Sequence, residues 1–211
     1  ECDFPEGRDK DAAGGEDKDF IITHTGLFAA DGNPTVLWDV LSEKCRKDED
    51  FRKALKIKLI GKTDAQVLEA IEEAGLKGNL EDLGYQKHSV AVQAQRKASL
   101  LILPLRKEPE YKAVLPGKLF EYLASCRPVM GIGQPDGAMS TILDKTNTGA
   151  VYDWEDSISM KKYIDECWKA HLSGTLIIKD GDISVFTRRN LTHQMVELFN
   201  KVIESASSGN K

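Results

Sequence analysis

At 211 residues and 23.4 kDa the chain is long enough for one large α/β domain with a real core. Apolar content of 41% and charged content of 30% belong to a globular protein and argue against a disordered one. A formal charge of −5 speaks against a nucleic-acid binder working through a basic surface. It leaves room for one phosphorylated small molecule held by a local positive field.

Residues 1–18 are acidic, Gly-rich and poor in apolar side chains, like a linker or a remnant left by cutting, so the folded domain is placed at 19–211. Phe20-Ile21-Ile22-Thr23-His24-Thr25-Gly26 is a β-branched run closed by glycine, a buried strand entering a tight loop. Asn33-Pro34 predicts a helix start, with Asn as the cap and Pro at the first helical position. Leu37, Val40 and Leu41 supply that helix with an apolar face. Leu55 to Gly61 alternates into a second strand, again closed by glycine. Asp64 to Ala74 is an amphipathic helix through Val67, Leu68 and Ile71, stopped by Gly75. Leu80 to Gly84 reads as a third strand and His88 to Ala98 as a third helix.

Ser99 to Leu105 is the most apolar strand and is expected at the centre of the sheet. There follow the loop Arg106 to Leu115, a helix from Lys118, the strand Val129 to Ile132, a helix from Gly137 to Lys145 and the strand Gly149 to Tyr152. Ser157 to His171 and Arg188 to Ser205 read as closing helices. Asp180-Gly181-Asp182, between Leu176-Ile177-Ile178 and Ile183-Ser184-Val185, resembles a metal-binding Asp-x-Asp but is read as a turn. The alternation predicts a doubly wound, Rossmann-like parallel sheet with helices on both faces and right-handed crossovers. In such sheets ligands sit at the carboxyl ends of the strands, so Gly26, Gly61, Gly84 and the Pro116-Gly117 turn should line one crevice.

Leu115-Pro116-Gly117-Lys118-Leu119-Phe120-Glu121-Tyr122-Leu123-Ala124, running on to Pro128-Val129-Met130-Gly131-Ile132-Gly133, is the most specific stretch. A helix N-terminus opened by glycine leaves amide N–H groups facing outward, and its dipole favours a phosphate there. Lys118 adds a point charge at the same end, and Glu121, acceptor-only when ionised, suits the paired hydroxyls of a ribose. The plain alternative is a solvated i, i+3 ion pair contributing a few tenths of a kcal/mol.

The order of these elements, with Thr25-Gly26, Leu59-Ile60-Gly61, Leu83-Gly84-Tyr85 and the Lys118–Ala124 helix after successive strands, resembles the donor-binding C-terminal domain of GT-B glycosyltransferases of family 4. The resemblance runs from about Asp19 to Ile203, and its sharpest part is the Lys-x-x-Glu helix followed by Arg127-Pro128-Val129. It implies a retaining transfer of a hexose from a UDP- or GDP-sugar to a glycan or lipid-linked acceptor in polysaccharide biosynthesis. Glu121 then matches the ribose-binding glutamate and Lys118 the basic residue beside the donor diphosphate, with the backbone of Leu115, Pro116 and Gly117 completing that site. Gly26 matches the glycine loop at the donor phosphate. Tyr85 and Gln86 fall on the loop flanking the base, and Gly61 and Lys62 follow the second strand. The family also has an N-terminal domain that carries the acceptor site and several catalytic groups. This chain is expected to be inactive without it, and no catalytic residue is assigned here. The full-length enzyme is expected in the cytoplasm or at the inner face of the cell membrane, with no cofactor and no metal.

Two departures stand out. The family's two glutamates are separated by seven residues, and counting back from Glu121 reaches Ala113, with Glu108 or Glu110 as replacements. The Arg and Lys that commonly follow the first glycine loop are missing from Leu27 to Gly32, with Lys62 as a substitute. Rival readings are a nucleotide-sugar 2-epimerase of the same fold and a flavodoxin-like regulatory module. The latter needs an acidic cluster at the first strand end, where Thr23-His24-Thr25-Gly26 has none.

Cys2, Cys45, Cys126 and Cys167 are scattered without metal-type spacing and read as reduced thiols in a cytosolic chain with no secretory leader. No apolar run reaches bilayer-spanning length. His24, His88, His171 and His193 share no ligand spacing, His24 alone lying near the crevice. Trp38, Trp154 and Trp168 read as packing groups.

Overall fold

Six strands form the frame: β1 (Phe20–Thr25), β2 (Leu55–Ile60), β3 (Leu80–Asp82), β4 (Leu100–Pro104), β5 (Val129–Ile132) and β6 (Gly149–Tyr152). All pair in parallel, in the order β3-β2-β1-β4-β5-β6. This is the doubly wound order: the chain winds outward to β3, returns beside β1 as β4, and winds outward the other way. The computed structural model describes residues 18–176 and 183–208. Its helices are α1 (Thr35–Lys47), α2 (Glu49–Ala54), α3 (Ala65–Glu73), α4 (His88–Lys97), α5 (Gly117–Ala124), α6 (Ala138–Thr146), α7 (Ser157–Leu172) and α8 (Arg188–Ser208).

The centre of the sheet is dry. β1 is buried over its whole length and β4 over its first four residues, as expected of continuous apolar runs covered on both faces. Around them Phe20, Phe51 and Trp168 meet edge to face or tilted, with ring centroids 5.3–5.6 Å apart. α7 is tied to α1 by the nearly buried Lys44, whose Nζ lies 2.6 Å from Asp165 Oδ1 and 4.7 Å from the Phe51 ring centre.

The structure departs from the sequence reading at two places. Pro34, not Asn33, is the N-cap of α1, and no side chain caps that end. Asn33 Oδ1 instead accepts from Trp38 Nε1 at 2.8 Å, because burying the indole leaves its N–H in need of an acceptor. The charged stretch Glu49-Asp50-Phe51-Arg52-Lys53-Ala54 is a helix that periodicity misses, being short with Phe51 its one large apolar anchor. Asp48 caps it by accepting from Phe51 N at 2.9 Å. Ser184–Phe186, which leads into α8, is a 3₁₀ turn. The Asp180-Gly181-Asp182 turn, Cys2 and the 1–17 part of the expected linker lie outside the described residues.

Candidate functional site

The crevice opens where the winding reverses. β1 and β4 pair at Ile22↔Leu100 and Thr23↔Leu101, and beyond that register they part. His24, the next residue of β1, sends its ring across the gap. Its Nδ1 lies 3.1 Å from the Ile102 carbonyl oxygen and its Nε2 3.4 Å from that of Leu27. A neutral imidazole has a single N–H, so it donates to only one of these carbonyls at a time. Protonation would serve both, yet burial holds the pKa down at about 4, with the Lys118 charge acting in the same direction. The ring is therefore a neutral spacer at pH 7, packed on Phe28 with centroids 4.4 Å apart.

Beside it the strand ends interlock through glycines. Gly26 N donates to Ile60 O at 2.6 Å and Gly61 N to Gly84 O at 2.8 Å. Both Gly26 (φ +111°) and Gly61 (φ +130°) adopt backbone angles that L side chains rarely reach. A Cβ on Gly61 would stand 2.2 Å from Gly26 O, and one on Gly26 would stand 2.1 Å from Lys118 Cε. The first glycine is thus the floor over which the Lys118 stem lies, and the second lets the floor close.

α5 delivers Lys118 and Glu121 to this floor. Its apolar residues Leu119, Tyr122 and Leu123 are buried, which fixes the helix roll and turns the half-buried Lys118 and Glu121 toward the crevice side. Pro116 is the N-cap and has no N–H, and Leu119 N donates back to Pro116 O at 2.9 Å. The amides of Gly117 and Lys118 precede any intrahelical acceptor and remain available at the positive end of the dipole. The plain ion-pair reading fails: Lys118 and Glu121 do not bridge to each other. Glu121 Oε2 accepts from Gln95 Nε2 at 3.0 Å, while the lysine stem covers Gly26.

Gln95 also donates to Thr25 Oγ1 at 3.0 Å, and Thr25 N donates to the buried Tyr122 hydroxyl at 2.9 Å. Burial pushes the Tyr122 phenol up to about 12, so it stays a neutral partner. Arg127 closes the far end of α5, donating from Nε to Arg96 O at 2.6 Å in the last turn of α4.

The remaining residues named from sequence scatter around the rim. Gly84 joins the glycine ladder, and Gln86 Nε2 donates to Leu83 O at 2.7 Å. Tyr85 is 90% exposed, so it is no packed core aromatic. Lys62 is exposed on a loop held by Phe28 N donating to its carbonyl at 2.9 Å. Leu115 is exposed at the α5 entrance. Glu108, Glu110 and Ala113 are exposed on the loop before α5. The sequence reading overlooked two residues. Arg106, leaving β4, pairs with Asp31 at 3.0 Å and so brings a cation to the 27–32 loop that lacks its own. Gln95 was masked as one polar residue in an amphipathic helix, although Val92 and Ala98 on either side mark it as inward-facing. Among the described residues no group of His, Cys, Asp and Glu is fit to hold a metal ion, and no helix is long and apolar enough to cross a membrane.

No family model matches the sequence, and no curated protein does. Solved structures do match. HepE from Anabaena, in complex with UDP, superposes with a TM-score of 0.64 at 16% identity over 87% of this chain and 49% of that one. Sucrose-phosphate synthase from Thermosynechococcus elongatus gives 0.66 at 16% identity over 90% and 47% respectively. The C-terminal domain of LpcC, a group 1 family glycosyl transferase from Francisella tularensis, gives 0.56 at 15% identity over 81% and 86%. The chain spans about half the length of the first two and most of the third. Its fold is that of the C-terminal domain of GT-B enzymes of group 1 type.

Proposed function

We propose that this chain is the donor-binding half of a retaining glycosyltransferase, holding a nucleoside-diphosphate sugar in the crevice at the carboxyl ends of β1 and β4. The observation that carries the reading is the convergence of Lys118, lying over Gly26, with Glu121, held one turn further along α5 by Gln95. In this reading the diphosphate meets Lys118 and the amides at Leu115, Gly117 and Lys118, while Pro116 shapes the turn. The close-packed Gly26 and Gly61 admit it without a Cβ in the way, Lys62 adds charge from the rim, and Tyr85 and Gln86 flank the base. Glu121 accepts from the ribose hydroxyls. Fixed donors aimed at a departing diphosphate stabilise its developing charge without reorganisation at the moment of reaction.

The hexose acceptor site belongs to a partner domain, as the half-length match to HepE suggests, and closure of the two halves excludes water. The folded unit is taken as 19–211, acting in polysaccharide biosynthesis in the cytoplasm or at the inner face of the cell membrane. Calorimetry with UDP, GDP and inorganic phosphate on wild type and Glu121→Ala tests this. At least one nucleoside diphosphate should bind, about tenfold more weakly to the variant. An unchanged affinity in Glu121→Ala, or indifference to both nucleotides, would remove the reading.

A further inference from the structure

α4 is an unusual helix. Among its described residues the one that is fully buried is polar: Gln95, 1% exposed, while Ala91, Val92 and Ala94 are only half-buried. A buried amide is costly unless its hydrogen-bonding groups are matched. Here the Nε2 hydrogens are both used. One goes to Thr25 Oγ1 and the other to Glu121 Oε2, each at 3.0 Å. The amide orientation follows from chemistry, since an ionised carboxylate only accepts and must therefore face the NH₂ side.

Three elements meet at this one side chain. Thr25 is the last residue of β1, immediately before Gly26; Gln95 comes from α4; Glu121 and Tyr122 come from α5. Thr25 is itself gripped from both sides, its amide donating to Tyr122 Oη at 2.9 Å and its hydroxyl to the same oxygen at 3.4 Å. The chain Tyr122–Thr25–Gln95–Glu121 is a closed circuit that starts and ends on α5. Its effect is to fix a half-buried carboxylate that a free glutamate would sample in several rotamers. With Oε2 engaged, Oε1 is the oxygen left for a ligand.

We infer that Gln95 is a positioning residue that sets discrimination between ribose and deoxyribose nucleotides, by presenting Glu121 Oε1 in one fixed orientation to the sugar hydroxyls. The inference rests on the ribose role proposed for Glu121. A carboxylate fixed in place rewards both hydroxyls of a ribose and leaves an acceptor poorly served when one is missing, whereas a wandering carboxylate relaxes into water at little loss. Gln95 touches no substrate and acts only through Glu121.

The test is calorimetric titration of the 211-residue chain with UDP and 2′-deoxy-UDP, repeated with GDP and 2′-deoxy-GDP, on wild type, Gln95→Met, Gln95→Asn and Glu121→Ala. Wild type should prefer the ribonucleotide by about tenfold. Gln95→Met keeps the length without donors, and Gln95→Asn keeps the amide but is too short to span Thr25 and Glu121. In either, the preference should fall below about threefold, chiefly through weaker ribonucleotide binding. Should one variant fail to fold, the other carries the measurement. A Gln95 variant that weakens both sugars equally and keeps the ratio has only a structural effect, and the positioning role is then wrong. If Glu121→Ala keeps the ratio as well, or no nucleotide binds, the ribose role of Glu121 falls first and takes this inference with it. If Glu121→Ala loses the ratio and the Gln95 variants keep it, the inference alone falls.

Discussion

Two concavities lie at opposite ends of the sheet. The crevice sits at the carboxyl ends of β1 and β4. A groove of about 540 Å³ sits at the amino end, between α1, α2 and the turn leading into β3, and is lined by Arg46, Arg52, Cys45, Gly75, Gly78 and Asn79 among others. Judged by arginine count the groove looks the better anion site. Asp39 and Glu73 line it too, however, and part of its polar chemistry is spent on structure. Arg52 already forks onto Glu49 with contacts of 2.8 and 2.6 Å, and Asn79 Nδ2 donates to the carbonyls of Arg52 and Leu55 at 2.9 Å. The C-terminal end of α3 points its negative dipole end there. In the crevice a positive helix end, close-packed glycines at positive φ and a buried polar circuit converge. Convergence of a helix N-terminus, side-chain-free backbone and fixed polar groups, rather than concavity, distinguishes a site from a dent.

The sharpest way to break that contrast is through glycine. Gly61→Ala places a Cβ 2.2 Å from a backbone oxygen at φ +130°, so neither side can yield cheaply. It should cost about 3 kcal/mol or more of unfolding free energy. Gly78 in the groove has nothing within 4 Å of its would-be Cβ, and Gly78→Ala should stay within about 0.5 kcal/mol of wild type. Urea denaturation of both decides it, and equal losses would erase the distinction between the two ends.

Acid should also find the crevice end first. His24 is neutral in the fold, with its pKa held at about 4 by burial, against about 6.5 in the unfolded chain. The unfolded state therefore binds the extra proton. The stability this neutral ring contributes is whole above pH 6.5 or so and drains away as pH falls toward 4. Linkage puts the loss at about 1.4 kcal/mol by pH 5.5 and about 2 kcal/mol by pH 5. Cys45 in the groove, which burial pushes up to about 11, is neutral throughout that range and adds no slope. Unfolding measured at pH 7.5, 6.5 and 5.5 should show a downward trend in wild type that His24→Gln flattens. Parallel curves would mean that the ring is not buried neutral.

Ligand affinity separates the two ends next. Lys118→Ala should weaken UDP binding about tenfold, near 1.4 kcal/mol, whereas Arg52→Ala in the groove should leave it within about twofold. Titration calorimetry gives both numbers, and the reverse ranking would move the nucleotide to the groove.

How much of this was readable without coordinates follows the same divide. Strand order, the central place of β4 and the meeting of Gly26, Gly61 and Gly84 are consequences of local runs and of winding rules, so sequence suffices for them. Lys118 and Glu121 were readable as a pair, but not that they ignore each other. That depends on Gln95, whose partners lie 70 and 26 positions away along the chain. α2 was invisible for another reason: one buried phenylalanine among charges makes no period. Arg106 reached the 27–32 loop by tertiary placement, which no local pattern encodes.

The smallest effect lies beneath the crevice. β1 is buried throughout yet carries three consecutive polar side chains, Thr23, His24 and Thr25. Two of them earn their place through His24 to Ile102 and Thr25 to Gln95 and Tyr122. Thr23 Oγ1 is buried without a hydrogen-bond partner among the described residues. Removing an unsatisfied hydroxyl while keeping the branched shape takes away a desolvation penalty and opens no cavity. Thr23→Val should therefore raise stability by about 1 kcal/mol, while Thr25→Val, which strips the acceptor from Gln95, should lower it by a similar amount. Thermal or urea unfolding of the two variants measures the sign directly. Equal and opposite shifts at positions two residues apart would show that polarity in this strand is tolerated where it is unpartnered and required where it reaches the circuit behind Glu121. Loss of stability in both would mean that Thr23 has a partner, and that the polar run of β1 acts as one unit.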